Sequence, residues 1–382
     1  MIPRSYTFFA SKNDLHLNGD KYFEKTSEVI SLLNSKYGES RTVRLTLPEI
    51  SLDNSEDFDS DISILSKCYQ KALDLNFRWI NQPFTISSRA LVEPYTLNII
   101  SNLITKHEKL FALLNISNLD QVKEGARTYA KINKSLSRSQ TLGFNNFRFG
   151  IGFNLSEYTP FFPFSYGSNS GFSVALESLD FLKKELSSSN SISELEVRLK
   201  EDINKSSKIF SQVGDKFSFP YFGSDWSLAP LPNSDNSVVD FISSFEGNDL
   251  GAGGGFLSSI SKITALLKSP FSDKDISPVG FNGVMMSVLE DDALAKSFSL
   301  RSVTVNDLLL YSSVCGCGLD MVPLSGDTSE ISIEKYAEDT ASLAFRLNKP
   351  LGVRFMSISN LREGQQTSFS HDFVNNSSVI RL

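Results

Sequence analysis

The sequence predicts an α/β protein with a largely parallel sheet, folded as one large domain. Strand-like segments recur between helix-like segments along most of the chain, and this alternation is typical of α/β architecture. The 382 residues contain no internal repeat and no long linker. We therefore predict a single domain, although length alone suggests about two. A hydrophobic content of 40% and a charged content of 21% are ordinary for a soluble globular protein.

The elements follow from the spacing of apolar residues, which is three to four in a helix and two in a strand. Helices are predicted at residues 21–37, 62–75, 94–114, 120–132, 179–186, 192–211, 256–267, 290–297, 303–312 and 331–347, with another starting at residue 237. Strands are predicted at residues 41–47, 77–86, 147–153, 171–176, 279–288 and 351–358. Polar connectors are predicted near residues 48–61 and 187–191.

Composition narrows the functional class and the compartment. The formal net charge of -7 and the lack of a basic stripe disfavour nucleic acid or an anionic membrane as partner. No apolar run approaches the ~20 residues that span a bilayer, and no secretory signal is recognisable. Three cysteines are too few for a disulfide framework. We therefore expect a cytoplasmic protein that binds a small molecule, with a homodimer as the default assembly.

Residues 314–328 (V-C-G-C-G-L-D-M-V-P-L-S-G-D-T) concentrate the most chemistry in one short stretch. Cys315 and Cys317 stand beside Asp320 and Asp327, and the glycines let the backbone approach a ligand. A thiolate with a lowered pKa is a nucleophile or an acid/base group, and two such cysteines can also form a redox pair. The alternative is that both are small buried apolar residues. No histidine stands nearby as a base.

Residues 224–232 (S-D-W-S-L-A-P-L-P) hold a second candidate. Asp225 is a general acid or base if it is buried, or else a turn residue. Ser227 lacks the G-x-S-x-G elbow of serine hydrolases.

Gly253 and Gly254 belong to a glycine-rich loop at residues 249–255 that precedes a helix. Such a loop is an anion cradle, but it lacks the P-loop and dinucleotide spacings and is otherwise a tight connection. Arg148 precedes the aromatic run at residues 158–166 and suits a carboxylate or phosphate. That run lines a pocket or fills a core.

A divalent-cation site is an open alternative. Zinc is disfavoured because cysteines and histidines are few and scattered. Five acidic residues, by contrast, provide the oxygen ligands that hard cations prefer: Asp225, Glu290, Asp291, Asp320 and Asp327. Capping and turn roles are the alternative for the same residues.

Taken in order, these motifs resemble the family called domain of unknown function 711. The resemblance rests on residues 224–232, 251–267, 279–292 (V-G-F-N-G-V-M-M-S-V-L-E-D-D) and 315–328, with P-F-F-P and F-S-V-A-L-E (residues 172–177) upstream. It implies a pyruvate formate-lyase-like fold, which is a ten-stranded α/β barrel of two parallel half-barrels with a cysteine loop inside. Cys315 matches the family's cysteine, whereas Cys317 falls where other members often have another residue. No glycyl-radical signature stands near the C-terminus, so radical chemistry is not implied, and the family transfers no activity.

The leading hypothesis is an enzyme acting on a small polar or anionic metabolite in the barrel interior. Cys315 is the acid/base or nucleophile, assisted by Asp225 and Asp320. The ligand contacts are predicted to come from Gly253, Gly254, Asn282, Gly283, Ser227, Arg148 and Asp327. The residues do not choose between a lyase and a hydrolase, identify no cofactor and assign no metal ligand. The alternatives are a ligand-binding or regulatory protein without catalysis and a divalent-cation-dependent enzyme using clustered carboxylates.

Overall fold

A computed structural model describes residues 1–53, 55–86, 92, 94–138, 143–189, 191–232, 236–251 and 253–382. Within these residues ten strands form one sheet. The strands are β1 (Ile2–Phe9), β2 (Thr42–Thr46), β3 (Ile50–Ser51), β4 (Trp79–Thr85), β5 (Leu110–Ile116), β6 (Phe149–Phe153), β7 (Gly171–Glu177), β8 (Tyr221–Asp225), β9 (Gly318–Ser325) and β10 (Leu351–Ile358). The α/β class predicted from the sequence is confirmed.

Helices fill most of the connections between the strands. They are α1 (Lys12–Lys36), α2 (Ser55–Asp74), α3 (Pro94–Lys106), α4 (Val122–Ser137), α5 (Leu179–Ser188), α6 (Ile192–Phe217), α7 (Val238–Glu246), α8 (Phe256–Lys268), α9 (Asp292–Ser299), α10 (Val305–Tyr311) and α11 (Glu330–Arg346). Several begin at a serine or threonine whose hydroxyl accepts a backbone N–H of the first turn, as Ser11 does from Asp14 and Thr304 from Asp307. None of the described helices is both long and apolar enough to cross a bilayer.

The sheet consists of two sets of strands that run in opposite directions. Its order is β8-β7-β1-β2-β4-β5-β6-β10-β9, with β3 paired to β4. The neighbours from β1 to β6 are parallel, as are β7 with β8 and β10 with β9. The two sets meet in antiparallel pairs at β1–β7 and β6–β10. Two parallel sets of this kind are what the half-barrel arrangement implied by the resemblance requires.

Residues 277–288 connect the two edge strands. Beside β8, Ser224 donates its N–H to the Ser277 carbonyl, with N and O 3.0 Å apart, and its own carbonyl accepts the N–H of Val279 at the same distance. At the other end, Val288 donates to the Asp320 carbonyl of β9 at 3.0 Å. The sequence predicts a strand at residues 279–288, and the structure has isolated bridges there instead of a regular ladder. The sheet proper is open, and this segment joins its two edges.

Two hydrophobic cores lie on opposite faces of the sheet. The larger fills the space between the sheet and the helices. The smaller consists of Leu113, Leu155, Phe161, Phe164, Ala175, Phe281, Met285 and Cys317. We call these the outer core and the inner core. The aromatic run predicted to line a pocket or fill a core does both, because it enters the space that the sheet encloses.

Glycines on β6 and β10 make room for the inner core. A Cβ at Gly150 would lie 2.7 Å from Cγ of Pro163, and one at Gly352 would overlap the Phe164 ring. Gly152 and Gly352 face each other in register. The absence of side chains here therefore admits the aromatic run to the interior.

Several predicted boundaries are wrong. The helix predicted over residues 94–114 ends at Lys106, and its last part is strand β5, because β5 is buried along its whole length and a continuous apolar run has no strand periodicity. Strand β1 was also not predicted, because Pro3, Arg4, Ser5 and Thr7 interrupt its apolar residues. Helix α1 starts at Lys12 instead of residue 21, and α2 starts at Ser55 inside the connector predicted at residues 48–61. Asn54 and Asn190, in the two predicted connectors, lie outside the described residues.

Candidate functional site

A cavity of about 210 Å³ lies against the inner core. It is near the amino ends of β2, β4 and β5 and just beyond the carboxyl end of β8. The walls combine aromatic rings with arginines. The aromatic residues are Trp79, Phe111, Phe147, Phe161, Phe162, Phe164, Phe281 and Phe373, and the arginines are Arg4, Arg41, Arg44, Arg78 and Arg354.

Arg4 and Arg44 hold the aromatic run and face the cavity together. Arg4 is the extra residue of a β-bulge in β1, between the pairs of Pro3 and Ser5, and bulges re-aim side chains. Its two Nη atoms donate to the carbonyls of Ala229 and Pro230, at 3.4 and 3.0 Å. Arg44 donates through Nε to Oγ1 of Thr42 (2.9 Å) and through Nη1 to the carbonyl of Pro160 (3.1 Å).

The two guanidiniums also lie over aromatic rings. The guanidinium carbon of Arg4 is 5.9 Å from the ring centre of Phe161, and that of Arg44 is 5.4 Å from the ring centre of Phe162. Both distances are within the range of cation–π attraction. Neither arginine has a carboxylate partner among the described residues.

Arg354, unlike Arg4 and Arg44, forms an ion pair with a carboxylate of the cavity lining, that of Asp320. Its Nε and Nη2 donate to the two carboxylate oxygens of Asp320 at 2.7 and 2.8 Å, which is the bidentate geometry of a strong ion pair. Nη2 also lies 3.4 Å from Oε1 of Glu290. Met321 is the extra residue of a bulge in β9, with a φ of 54°. This bulge re-aims the backbone beside Asp320.

The cavity therefore has an excess of positive charge. Five arginines line it, against the two carboxylates of Glu290 and Asp320. Arg41 is neutralised by Glu177 outside the lining. Burial, followed by repulsion from Arg4, lowers the pKa of Arg44 to about 9. The negative charge of an entering anion would favour the charged form of Arg44 and offset its repulsion from Arg4.

The two cysteines occupy different positions. Cys317 lines the cavity and is part of the inner core, whereas Cys315 belongs to the outer core. Their exposed fractions are only 2% and 1%. The N–H of Met286 donates to Sγ of Cys317 at 3.2 Å, and Nζ of Lys349 donates to the Cys315 carbonyl.

The two thiols shift each other's pKa in opposite directions. A hydrogen bond from Cys317 lowers the pKa of Cys315 to about 6 against the opposing effect of burial, and the positive charge of Lys349 helps. The same interaction, together with burial, raises the pKa of Cys317 well above its usual value. These opposite directions favour the charged form of Cys315 and the protonated form of Cys317.

Asp225 is a buried carboxylate that holds the backbone of residues 225–227 and 281–282 together. One carboxylate oxygen accepts the N–H and Oγ of Ser227, at 2.8 and 2.6 Å, and the N–H of Asn282 at 3.3 Å. The other accepts the N–H of Phe281 at 2.7 Å. Burial raises the pKa of Asp225 to about 6. Gly283 packs on Gly316, the residue between the cysteines. The predicted residues Asp225, Ser227, Asn282 and Gly283 thus meet next to the cysteine segment, but none of them lines the cavity.

The remaining predicted contacts lie elsewhere. Gly253 and Gly254 are exposed in a surface loop, and Ala252 of that loop is outside the described residues. Asp327 accepts Oγ of Ser325 at 2.6 Å and lies 3.9 Å from Arg381 at the surface. The Arg148 guanidinium is occupied by the carbonyls of His107 and Leu110 and by Asn145. The structure does not bring these residues to the cavity.

The five acids do not gather around a common point. Asp291 caps the start of α7 through Val238 N–H at 2.6 Å, Asp225 holds loops, and Asp327 is at the surface. Within the described ranges, no three histidine, cysteine or acidic side chains form a group that could hold a metal ion. Asp225, Asp291 and Asp327 therefore serve separate structural purposes, whereas Glu290 and Asp320 share the guanidinium of Arg354.

Sequence reasoning missed the arginines. Arg44 stands between Val43 and Leu45, and Arg354 between Val353 and Phe355. A charge inside an apolar strand marks a position that faces either solvent or a functional interior. An arginine between two apolar residues of a strand is therefore the signal in the sequence that points to this cavity.

Comparison with known proteins places these features in a family. A family model described as "Uncharacterised ACR (DUF711)" matches residues 12–371. A UPF0210 protein of Pyrobaculum arsenaticum is 23% identical over 290 residues, which are 69% of this chain and 60% of that protein. UPF0210 proteins of Pyrobaculum aerophilum and Syntrophobacter fumaroxidans are each 28% identical, over 40% and 41% of this chain and 34% of each relative. The chain thus matches less than two thirds of the length of these relatives.

Proposed function

Since the chain belongs to the uncharacterised DUF711 family, we propose a function from the geometry of its own cavity: an enzyme that transfers a proton on a small anionic metabolite. The observation that carries this proposal is the surplus of guanidinium charge beside Cys317, which lines the cavity two residues from the buried Cys315. Arg4 and Arg44 attract the anion, and Arg354 keeps Asp320 in a fixed position. A charged partner is attracted more strongly between apolar walls than in bulk water, because the effective dielectric constant is lower.

The thiol pair acts as a base in this proposal. Cys317 takes a proton from the substrate while its own proton passes to the sulfur of Cys315. The pair then carries one more proton and one less negative charge, and the substrate carries the negative charge. The arginines stabilise that charge as it develops. Loss of a proton next to an anionic group is a step that lyase reactions require, so a lyase is favoured over a hydrolase.

A panel of small carboxylates and phosphates tests the proposal, with turnover followed by mass spectrometry. We expect Cys317→Ser and Cys315→Ser each to lower the rate by about 10²–10⁴-fold, the usual contribution of general acid–base catalysis. Cys68→Ser is the matched control, because Cys68 lies in α2, does not line the cavity and has no contact with the other two cysteines among the interactions that the structure describes. Full turnover in both Cys315 and Cys317 variants would refute the assignment.

A second candidate is a binding or regulatory protein without catalysis. The burial of both thiols and the occupation of Asp320 by Arg354 favour it. It predicts that a ligand raises the melting temperature by mass action while no product forms. The same panel separates the two candidates.

A further inference from the structure

We propose that the ligand of this cavity is a carboxylate carried on an apolar body about the size of one aromatic ring. The proposal rests on the proposed function only for the location of the site. It adds what kind of anion fits there. A small hydrophilic anion or a phosphate is the contrasting class.

The apolar part of the ligand follows from a continuous wall of rings. Trp79 and Phe111 meet edge to face with ring centres 5.2 Å apart, and Trp79 and Phe373 do so at 5.7 Å. Phe147 continues the wall, 5.3 Å from Phe111 and 5.0 Å from Phe373. Phe162 closes it, 5.7 Å from Phe111. A face of this kind gains free energy by covering apolar area, not by solvating a small ion.

The size of that body follows from the volume. The cavity measures about 210 Å³, whereas an apolar protein cavity of roughly 150 Å³ holds one benzene molecule. One ring and a carboxylate therefore fit. Two fused rings with a phosphate do not.

The carboxylate of the ligand is inferred from hydrogen-bond donors of Arg44 that have no acceptor in the described part of the chain. A guanidinium has five N–H donors, and Arg44 spends Nε and Nη1 on Thr42 and Pro160. For its Nη2 the described part of the chain provides no acceptor. Arg44 also lies over Phe162, so a donor and an apolar ring face the ligand from adjacent positions. A phosphate would leave several oxygens against rings that cannot hydrogen-bond to them, which is costly.

Titration of the full-length protein with benzoate tests this inference. Trp79 lines the cavity, and Trp226, the second of the two tryptophans, is buried with Nε1 donating to Leu267. Fluorescence should therefore report ligand entry at Trp79, and calorimetry gives the affinity independently. We expect benzoate to bind at least 10-fold more tightly than benzamide, acetate or inorganic phosphate.

Substitution of Arg44 tests whether this arginine binds the carboxylate of the ligand. Arg44→Gln should weaken benzoate at least 10-fold and make it equal to benzamide, whereas Arg198→Gln, on the surface of α6 with Glu185 and Glu194, should change nothing. Acetate or phosphate binding as tightly as benzoate in the unmodified protein would overturn the inference, even if Arg44→Gln failed to fold, and would leave the proposed function standing. Tight benzoate binding without turnover of any carboxylate would support the inference and count against the catalytic proposal.

Discussion

The outer and inner cores are built on the same strands, yet they differ in what they enclose. The outer core is packed between the sheet and the helices. The inner core is a small group of residues beside a cavity with five arginines. The first is stabilised by burying apolar area, and the second also has to hold charge near solvent. Stability is therefore expected to depend mainly on the outer core, and ligand recognition on the residues that line the cavity, which include Phe111, Phe147 and Phe162 of the outer core.

The largest effect is expected on the free energy of unfolding, when one phenylalanine of each core is replaced. Phe172 is fully buried in the outer core, and Phe161 is 8% exposed in the inner core under Arg4. Phe172→Ala should lower the free energy of unfolding by about 3–5 kcal/mol. Phe161→Ala should cost less than half as much, because its site already borders a cavity. Chemical denaturation measures both, and equal losses would remove the distinction between the cores.

A second comparison uses glycines and has a smaller expected effect. Gly352→Ala places a methyl group on the Phe164 ring, and overpacking of this kind costs about 1–3 kcal/mol. Gly254→Ala is the control, because a Cβ there meets nothing within 4 Å, and its effect should stay within about 0.5 kcal/mol. The same control tests Gly254 as a ligand contact: unchanged benzoate affinity would place it outside the site. If Gly352→Ala left the free energy of unfolding unchanged, the Phe164 ring would be able to move aside.

The smallest expected effect concerns pH. Because the pKa of Cys315 is lowered to about 6, ultraviolet absorbance should show one thiolate forming near pH 6, lost in Cys315→Ser. The folded pKa lies below the usual thiol value, so this thiolate adds stability that is complete above about pH 9 and is lost as pH falls through 6. Cys68, whose pKa is raised to about 11 by burial, should stay protonated. A first thiolate appearing only above pH 8 would contradict the coupling.

The sequence was informative where a pattern is local. Helical spacing located most helices of the outer core, and the motifs at residues 224–232, 279–292 and 315–328 do meet in space. It failed at β5, which is buried along its whole length and therefore shows no alternation, and at β1, where the buried residues include the polar Ser5 and Thr7. The cavity could not be predicted because it depends on long-range placement: Arg4, Arg44 and Arg354 come from three strands distant in sequence. Between two cysteines one residue apart, only the fold determines which one faces the cavity.

The bonding of residues 277–288 to both β8 and β9 has a consequence for handling the protein. Backbone groups at a free sheet margin can recruit the margin of another molecule, which leads to aggregation. Here those groups are engaged by an internal segment that is tied down through the Asp225 carboxylate. Loosening that anchor, for instance with Asp225→Asn, should therefore first appear as lower recovery from concentrated solution and faster precipitation on warming.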